Sequence, residues 1–379
     1  MNVRKAFQYR LFPTKHQATL MQRTLEECRW LYNHLLETRK TNWEERHESL
    51  TLYSQHATLP SLKRARPALA TVHSQVLQNV AVRIDLAFKA YFRRVKAGEK
   101  PGYPRFRGYG RYDSFCYPQA PSGCKLDGSQ LTLSGIGPIR VRLHRPLSGK
   151  VKTCCIRRSS TGKWYVSFSC QVVAVPLPES AEVVGIDVGL THFAALSTGE
   201  TIENPRFFRS DEAALAKVQR RFSKEAKGTP ERRSRRKPVA RVHERIAWRR
   251  QNFAHQESCR IVNRFQVIAV EDLTVNQMLH NHCLAKSISD AAWTSFASML
   301  AAKAESAGRS FVAVNPAYTT QTCSTCGHRQ RLGLAERIYR CSCCGLELDR
   351  DFNASLNIKA LGLESAGLPR EAPGFSHGE

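Results

Sequence analysis

Four cysteines at two-residue spacing are the residues of this chain best equipped for metal chemistry. Cys323 and Cys326 form one C-x-x-C pair and Cys341 and Cys344 another, with fourteen residues between the pairs and a glycine after each. The glycine frees the backbone to curl so that both thiolates of a pair face one ion. Two such knuckles give the tetrahedral sulfur shell of zinc, whereas a redox dithiol needs only one pair. A four-thiolate shell leaves no open position, so this zinc is expected to stabilise the fold and not to react. Cys343 is an extra thiol in the second knuckle, a bystander or a competitor of Cys344.

A second chemistry is carried by carboxylates. In "VVGIDVGLTHFAALSTGE" (183–200), Asp187 stands in a run of apolar and small residues, where a lone charge is costly to bury without a partner or a metal. "FQVIAVEDL" is an apolar strand ending on Glu271, and "LDRDFNASLNIKAL" puts Asp349 and Asp351 at the opening of a helix. Each acid alone has a structural explanation, as a strand-end cap or, for Asp349, a helix N-cap. Three acids at strand and helix ends of a very basic chain favour another arrangement. Clustered carboxylates repel unless hard divalent cations sit among them, and Mg2+ prefers such oxygen ligands. Two such ions can activate a water and stabilise the leaving oxygen of a phosphodiester. On a helix, Asp351 shares a face with Ala354, Ser355, Ile358 and Leu361, which suit a core, while Asp349 is placed to cap the free amides. Phe352 and Leu356 support the opposite assignment.

These groups need elements to hold them. "VRKAFQYRLFPT" alternates and meets Pro13, which predicts a strand and a turn. From Lys15 to about Lys96 the apolar spacing is helical, through Met21, Leu25, Cys28, Tyr32 and Leu35, then Leu77, Val80, Ile84, Phe88 and Tyr91. "GEKPGYPRFRGYGRYDSFCYP" cannot be a regular helix; it is a loop or a basic surface whose aromatics and arginines suit nucleic acid. Residues 124–175 alternate between Gly and Ser turns, and with the N-terminal strand predict one small β-domain. From 181 the pattern becomes strand, hairpin around Ser197-Thr198-Gly199, long basic helices, buried strand, helix, strand. The tail after Leu363 reads as disordered.

Composition narrows the partners. Lys plus Arg is 58 against 32 acidic residues among 379, a net charge of +26, with mean hydropathy −0.41. Such basicity points to a polyphosphate partner. Between Arg220 and Arg250, thirteen Lys/Arg face three Glu, a balance suited to backbone phosphates. No apolar stretch approaches the roughly 20 residues of a membrane span, and no secretory signal opens the chain. A reducing cytoplasm with the thirteen thiols free or metal-bound is the expectation.

The set "GIDVGLTHFAALSTG", "VIAVEDLTV", "NPAYTTQTCSTCG" and "CGLELDRDFNASLNI" resembles the TnpB family, the OrfB-type proteins of insertion sequences, related to type V CRISPR effectors. The resemblance covers 181–363, and "FQYRLFPTKHQATLMQRTLEECRWLYNHLLE" and "YPRFRGYGRYDSFCY" extend it over nearly the whole chain. It implies a multidomain α+β protein. An RNase H-like (RuvC-like) nuclease domain (181–315 and 349–363) carries an inserted zinc ribbon (316–348). A β-barrel-like wedge domain (1–13 and 98–180) is interrupted by a helical recognition bundle (14–97), and 364–379 is a disordered tail. It implies Asp187, Glu271 and Asp351 as the catalytic magnesium ligands, and departs from the family only in details such as Thr320 and Ser355. The implied activity is RNA-guided cleavage of double-stranded DNA beside a short motif, by a prokaryotic cytoplasmic protein associated with the nucleoid when on DNA. The implied guide is an RNA from the element's own end, one protein chain per RNA. Ser74, Gln75, Gln78 and Asn79, on a predicted helix, could read base edges in a major groove or form an ordinary polar face. Two alternatives stay open: a guide-independent transposase or resolvase using the same acids, and a non-catalytic zinc-ribbon DNA-binding regulator.

Overall fold

The computed structural model describes residues 2–333 and 336–368 and divides the chain into two units, Met1–Val173 and Ala174–Glu379. In the first, β1 (Asn2–Phe12) buries alternate residues Phe7, Tyr9 and Leu11. Thr14 then caps α1 (Lys15–Arg46) in a reciprocal exchange with Gln17, which satisfies two otherwise orphaned amides. The helical spacing read from the sequence is the buried stripe of α1: Met21, Leu25, Cys28, Tyr32 and Leu35. Next come α2 (Leu52–Ala65), a 3-10 turn (Pro67–Thr71) and α3 (Ser74–Lys96), whose Leu77, Val80, Ile84 and Phe88 point inward while Tyr91 is half-buried.

Irregular chain follows to Asp113, but the end of the Gly/Pro/Arg/Tyr stretch is a strand, β2 (Ser114–Tyr117). Then come β3 (Cys124–Asp127), β4 (Gln130–Leu133), β5 (Gly137–Arg142), β6 (Lys150–Arg158) and β7 (Trp164–Val173). All join β1 in one antiparallel sheet ordered β2-β6-β7-β1-β5-β4-β3. The expectation of free or metal-bound thiols is corrected at one pair. Cys116 and Cys155 are directly opposed in the β2–β6 register and joined as a disulfide, a proximity that the sequence separation of 39 conceals.

The second unit begins with β8 (Val183–Val188), β9 (His192–Leu196) and β10 (Thr201–Glu203), turning at the expected Ser197-Thr198-Gly199. The basic helices are α4 (Phe207–Ser223) and α5 (Pro230–Arg264). After β11 (Val267–Glu271) come α6 (Val275–Met278), α7 (Ala285–Ala291), α8 (Trp293–Ala307) and β12 (Ser310–Val314). A two-stranded ribbon, β13 (Ile338–Arg340) and β14 (Glu347–Asp349), leads into α9 (Arg350–Ser365). The central sheet runs β10-β9-β8-β11-β12, with β8, β11 and β12 parallel. Helix α9 carries two residues into the stretch expected as tail, 364–379; from 369 that stretch lies outside the described residues. Among the described residues no helix is long and apolar enough to cross a membrane.

Strand alternation assigns the two faces of this sheet different work. Val184, Ile186, Ile268 and Val270 pack with α5 and α8 residues such as Ile261, Phe296 and Leu300. Ala269 on the opposite face, with Val314 of β12, packs against Ile358 of α9.

Candidate functional site

Beta register brings two of the acids side by side. Gly185 pairs with Ala269 and Ile186 with Val270 in the parallel β8–β11 ladder, so Asp187 and Glu271 are the next residues along their strands. Both lie two residues beyond small ones, on the face that α9 covers. Smallness there has a reason. A Cβ added at Gly185 would stand 2.1 Å from the Ser355 carbonyl oxygen and 2.3 Å from the Lys359 nitrogen, so the helix backbone lies directly on the glycine. Further along, a Cβ at Gly362 would stand 2.3 Å from that of Ala269. Gly185 and Ala269 thus form the seat of α9, and the helix start comes to the strand ends: a Cβ on Gly189 would lie 3.8 Å from Oδ2 of Asp351.

The capping division between the two aspartates is as the helical face suggested. Asp349 is the N-cap of α9, accepting the amides of Asp351 and Phe352 at 2.9 and 3.0 Å, while Ala354, Ser355 and Ile358 are fully buried. Asp351 opens the first turn.

Asp187 is 8% exposed, and its carboxyl is pushed well above the usual aspartate range, first by burial and then by the charges of Glu271 and Asp351; Arg350 partly opposes this. Burial also raises Glu271, against a hydrogen bond from the Thr319 hydroxyl. A buried Asp187 that feels the charges of Glu271 and Asp351, with only Arg350 opposing them, belongs to a donor set that fits hard divalent cations. The carboxylates stand wider apart than the sulfurs. Among the described residues, the one group of three or more candidate ligands drawn within 4.8 Å of one another is Cys323, Cys326, Cys341 and Cys344.

In that group Cys323 and Cys344 are 3.6 Å apart and Cys326 and Cys341 3.5 Å. A tetrahedron of sulfurs at zinc–thiolate distance has edges of about 3.8 Å, so the shell fits zinc. Backbone amides of Cys344 and Cys343 hold the Cys341 thiol down at about 6, while burial pushes Cys323 up to about 12, so without a metal the four thiols hold their protons unequally. Cys343 is exposed and outside the group.

The four candidate base-reading residues lie at the start of α3. Ser74 and Gln78 are exposed, Ser74 taking a hydrogen bond from Lys63 Nζ. Gln75 donates to Gln119, and Asn79 accepts from Arg83, which also reaches Ser114, so these two amides have partners within the fold. The basic helices are likewise not wholly free surface. Arg245 and Arg249 pair with buried Asp211, and Arg250 with buried Asp290, which also caps α4 at Phe208. Exposed Phe106 and Tyr109 stand among Arg105, Arg107 and Arg111, with chemistry suited to bases and phosphates.

Sequence reasoning missed Gly185, Thr319, Asn353 and Asn357. All four lie in stretches quoted for their resemblance, but none drew attention as a carboxylate or thiol does. For two of them the signal is burial of a polar side chain, Thr319 being 3% exposed and Asn353 fully buried; Asn357 is half-buried.

Comparison with known proteins gives three matching family models. The OrfB_IS605 model, described as a probable transposase, matches residues 166–282; a Cas12f1-like TNB domain matches 293–358. A helix-turn-helix domain model matches 1–48, where this chain forms one strand and one continuous helix. A Streptomyces pristinaespiralis protein named "Putative RNA-guided DNA endonuclease" is 37% identical over 96% of this chain and 90% of its own. The Escherichia coli (strain K12) "Putative RNA-guided DNA endonuclease InsQ" is 31% identical over 94% of this chain and 92% of its own. Among solved structures, the mini-RNA-guided endonuclease CRISPR-Cas_phi3 is similar in fold, with TM-score 0.55, 10% identity, and 98% of this chain and 94% of that one covered.

Proposed function

Since the chain belongs to the TnpB family of OrfB-type transposon proteins, we propose that it is an RNA-guided DNA endonuclease that hydrolyses phosphodiester bonds with magnesium. The observation that carries the chemistry is the seating of α9 on Gly185 and Ala269, which brings the start of that helix to the strand ends bearing Asp187 and Glu271. In this reading Asp187, Glu271 and Asp351 hold two magnesium ions, and Asp349 shapes the helix start. Bound there, the ions supply the Lewis acidity that phosphodiester hydrolysis needs. The protein's own part is to fix the carboxylates on two rigid strands and one helix, and to keep Asp187 sheltered from bulk water.

The β8–β12 sheet with α9 is read as the RuvC-like nuclease domain of RNase H type (181–315 and 349–363), and 316–348 as its zinc ribbon. The antiparallel sheet (1–13 and 98–180) is read as the wedge-like domain and 14–97 as the recognition helices. Guide RNA from the transposon end and target double-stranded DNA are the partners, one chain per RNA. The net charge of +26, the basic α4–α5 pair and the Arg/aromatic stretch at 103–111 support this. Ser74, Gln75, Gln78 and Asn79 are the candidates for reading bases beside the target. The experiment is to purify the protein, sequence the RNA that comes with it, and offer DNA matching the free end of that RNA. Magnesium-dependent cutting only of matched DNA supports the proposal; cutting that needs no RNA, or none with any RNA, refutes it.

A further inference from the structure

Between the four-cysteine knuckle and the carboxylates runs a short series of side-chain hydrogen bonds anchored on α9. Asn353 accepts the Ser324 amide through Oδ1 at 3.0 Å, inside the first knuckle, and donates through Nδ2 to the Thr322 carbonyl at 2.8 Å. One turn on, Asn357 donates through Nδ2 to the carbonyls of Thr319 at 2.8 Å and Thr322 at 2.7 Å. Buried Thr319 in turn donates its hydroxyl to Oε1 of Glu271. The segment so held is under strain. Tyr318, immediately before Thr319, has φ 68°, a left-handed conformation that a bulky residue adopts only when its surroundings enforce it.

We propose that Thr319 and Asn357 are positioning residues of the acid site. The Asn357 amide fixes the Thr319 backbone against α9, and the Thr319 hydroxyl fixes the carboxylate of Glu271 relative to Asp351 on that same helix. The proposal rests on the reading of Asp187, Glu271 and Asp351 as magnesium ligands. Of the three, Glu271 most needs outside support. Asp187 and Asp351 are short side chains set within a strand and the first turn of a helix, whereas Glu271 is longer by a methylene and is the last residue of its strand. A carboxylate free to swing there would have to be ordered at each metal-binding event. Asn353 secures the same segment to the sulfur knuckle, so 319–324 is anchored at one end by the cysteines and at the other grips Glu271.

The test compares Thr319→Val, Thr319→Ser, Asn357→Asp and Glu271→Gln in the full-length protein carrying its RNA. Thr319→Val keeps the side-chain shape and removes the donor; Thr319→Ser keeps the donor. Thr319→Val should lower the cleavage rate at saturating DNA by about tenfold or more, leaving the half-saturating DNA concentration unchanged. It should weaken Mn2+ binding by a similar factor, read by electron paramagnetic resonance with the Glu271→Gln complex as the blank for ions on RNA. Thr319→Ser should stay close to wild type in both. Asn357→Asp turns a carboxylate toward two carbonyls and should follow Thr319→Val; if it does not fold, the Val and Ser pair decides alone. A residue that only stabilised the fold would lower Tm on change to valine without altering Mn2+ affinity, and that result overturns the proposal. So does wild-type behaviour of Thr319→Val beside an inactive Glu271→Gln, which leaves the acid reading standing. Cutting by Glu271→Gln overturns the acid reading itself, and the proposal with it.

Discussion

Replacing Gly185 with alanine tests the architecture of the site without touching a single carboxylate. The added methyl would sit 2.1 Å from the Ser355 oxygen, against an ordinary contact near 3.4 Å, so one side must retreat by at least about 1.3 Å. The strand is the less able to move: Gly185 donates to the Ser197 hydroxyl at 3.0 Å and accepts the Ser197 amide at 2.9 Å. Helix α9 must therefore lift, carrying Asp351 with it. Overpacking of this kind costs about 1–3 kcal/mol of stability. A displacement on the order of 1 Å at reacting groups costs about a hundredfold in rate. The expected result of single-turnover cleavage at saturating magnesium is a loss of that order, with guide and target binding kept. Gly362→Ala is the control. Its methyl meets Ala269 at 2.3 Å, yet it lies eleven residues beyond Asp351, about 16 Å along the helix. It should lower Tm comparably and spare most of the rate. A folded Gly185→Ala protein that cuts at the wild-type rate, or equal loss in both variants, would refute the reasoning.

Alanine at Asp187, Glu271 or Asp351 should each abolish plasmid cleavage in Mg2+ while target binding survives, whereas Asp349→Ala should cut and lose about 1 kcal/mol of stability as a missing cap. The reverse pattern at 349 and 351 would move the third ligand by two residues. Asp187→Asn should raise the Tm of protein in magnesium-free buffer, because it removes a buried charge facing two like charges; an unchanged or lower Tm counts against the clustering. Metal analysis should find about one zinc per chain, lost together with solubility in Cys326→Ser; well-folded protein without zinc would exclude the sulfur site. RNA affinity should fall steeply and linearly on a log–log plot against salt, and a flat plot would contradict binding through phosphates.

Local signals were legible in the sequence. The cysteine knuckles announce themselves by spacing, the helical stripe of α1 by period, and the Asp349 cap by its place at a helix start. Each depends on neighbours a few residues away. The seat of α9 was not legible, because Gly185 and Ala269 meet only through a parallel register spanning 84 positions, and their smallness matters only to a helix 170 residues further on from Gly185. Thr319, Asn353 and Asn357 are ordinary polar residues until folding brings α9 onto the 319–324 segment. The Cys116–Cys155 pairing likewise depends on a strand register that composition does not encode.

The seat of α9 also has a consequence for synthesis. Asp351 follows Glu271 by 80 residues, so α9 leaves the ribosome well after β8 and β11. At about 5–20 residues per second, that is an interval of roughly 4–16 s in which the sheet can form with two acids and no third. A nascent or prematurely terminated chain holding β8 and β11 but lacking α9 would be a sheet without its covering helix. On the proposed reading, the acid site is complete only once α9 has been made, after the segments proposed to bind RNA.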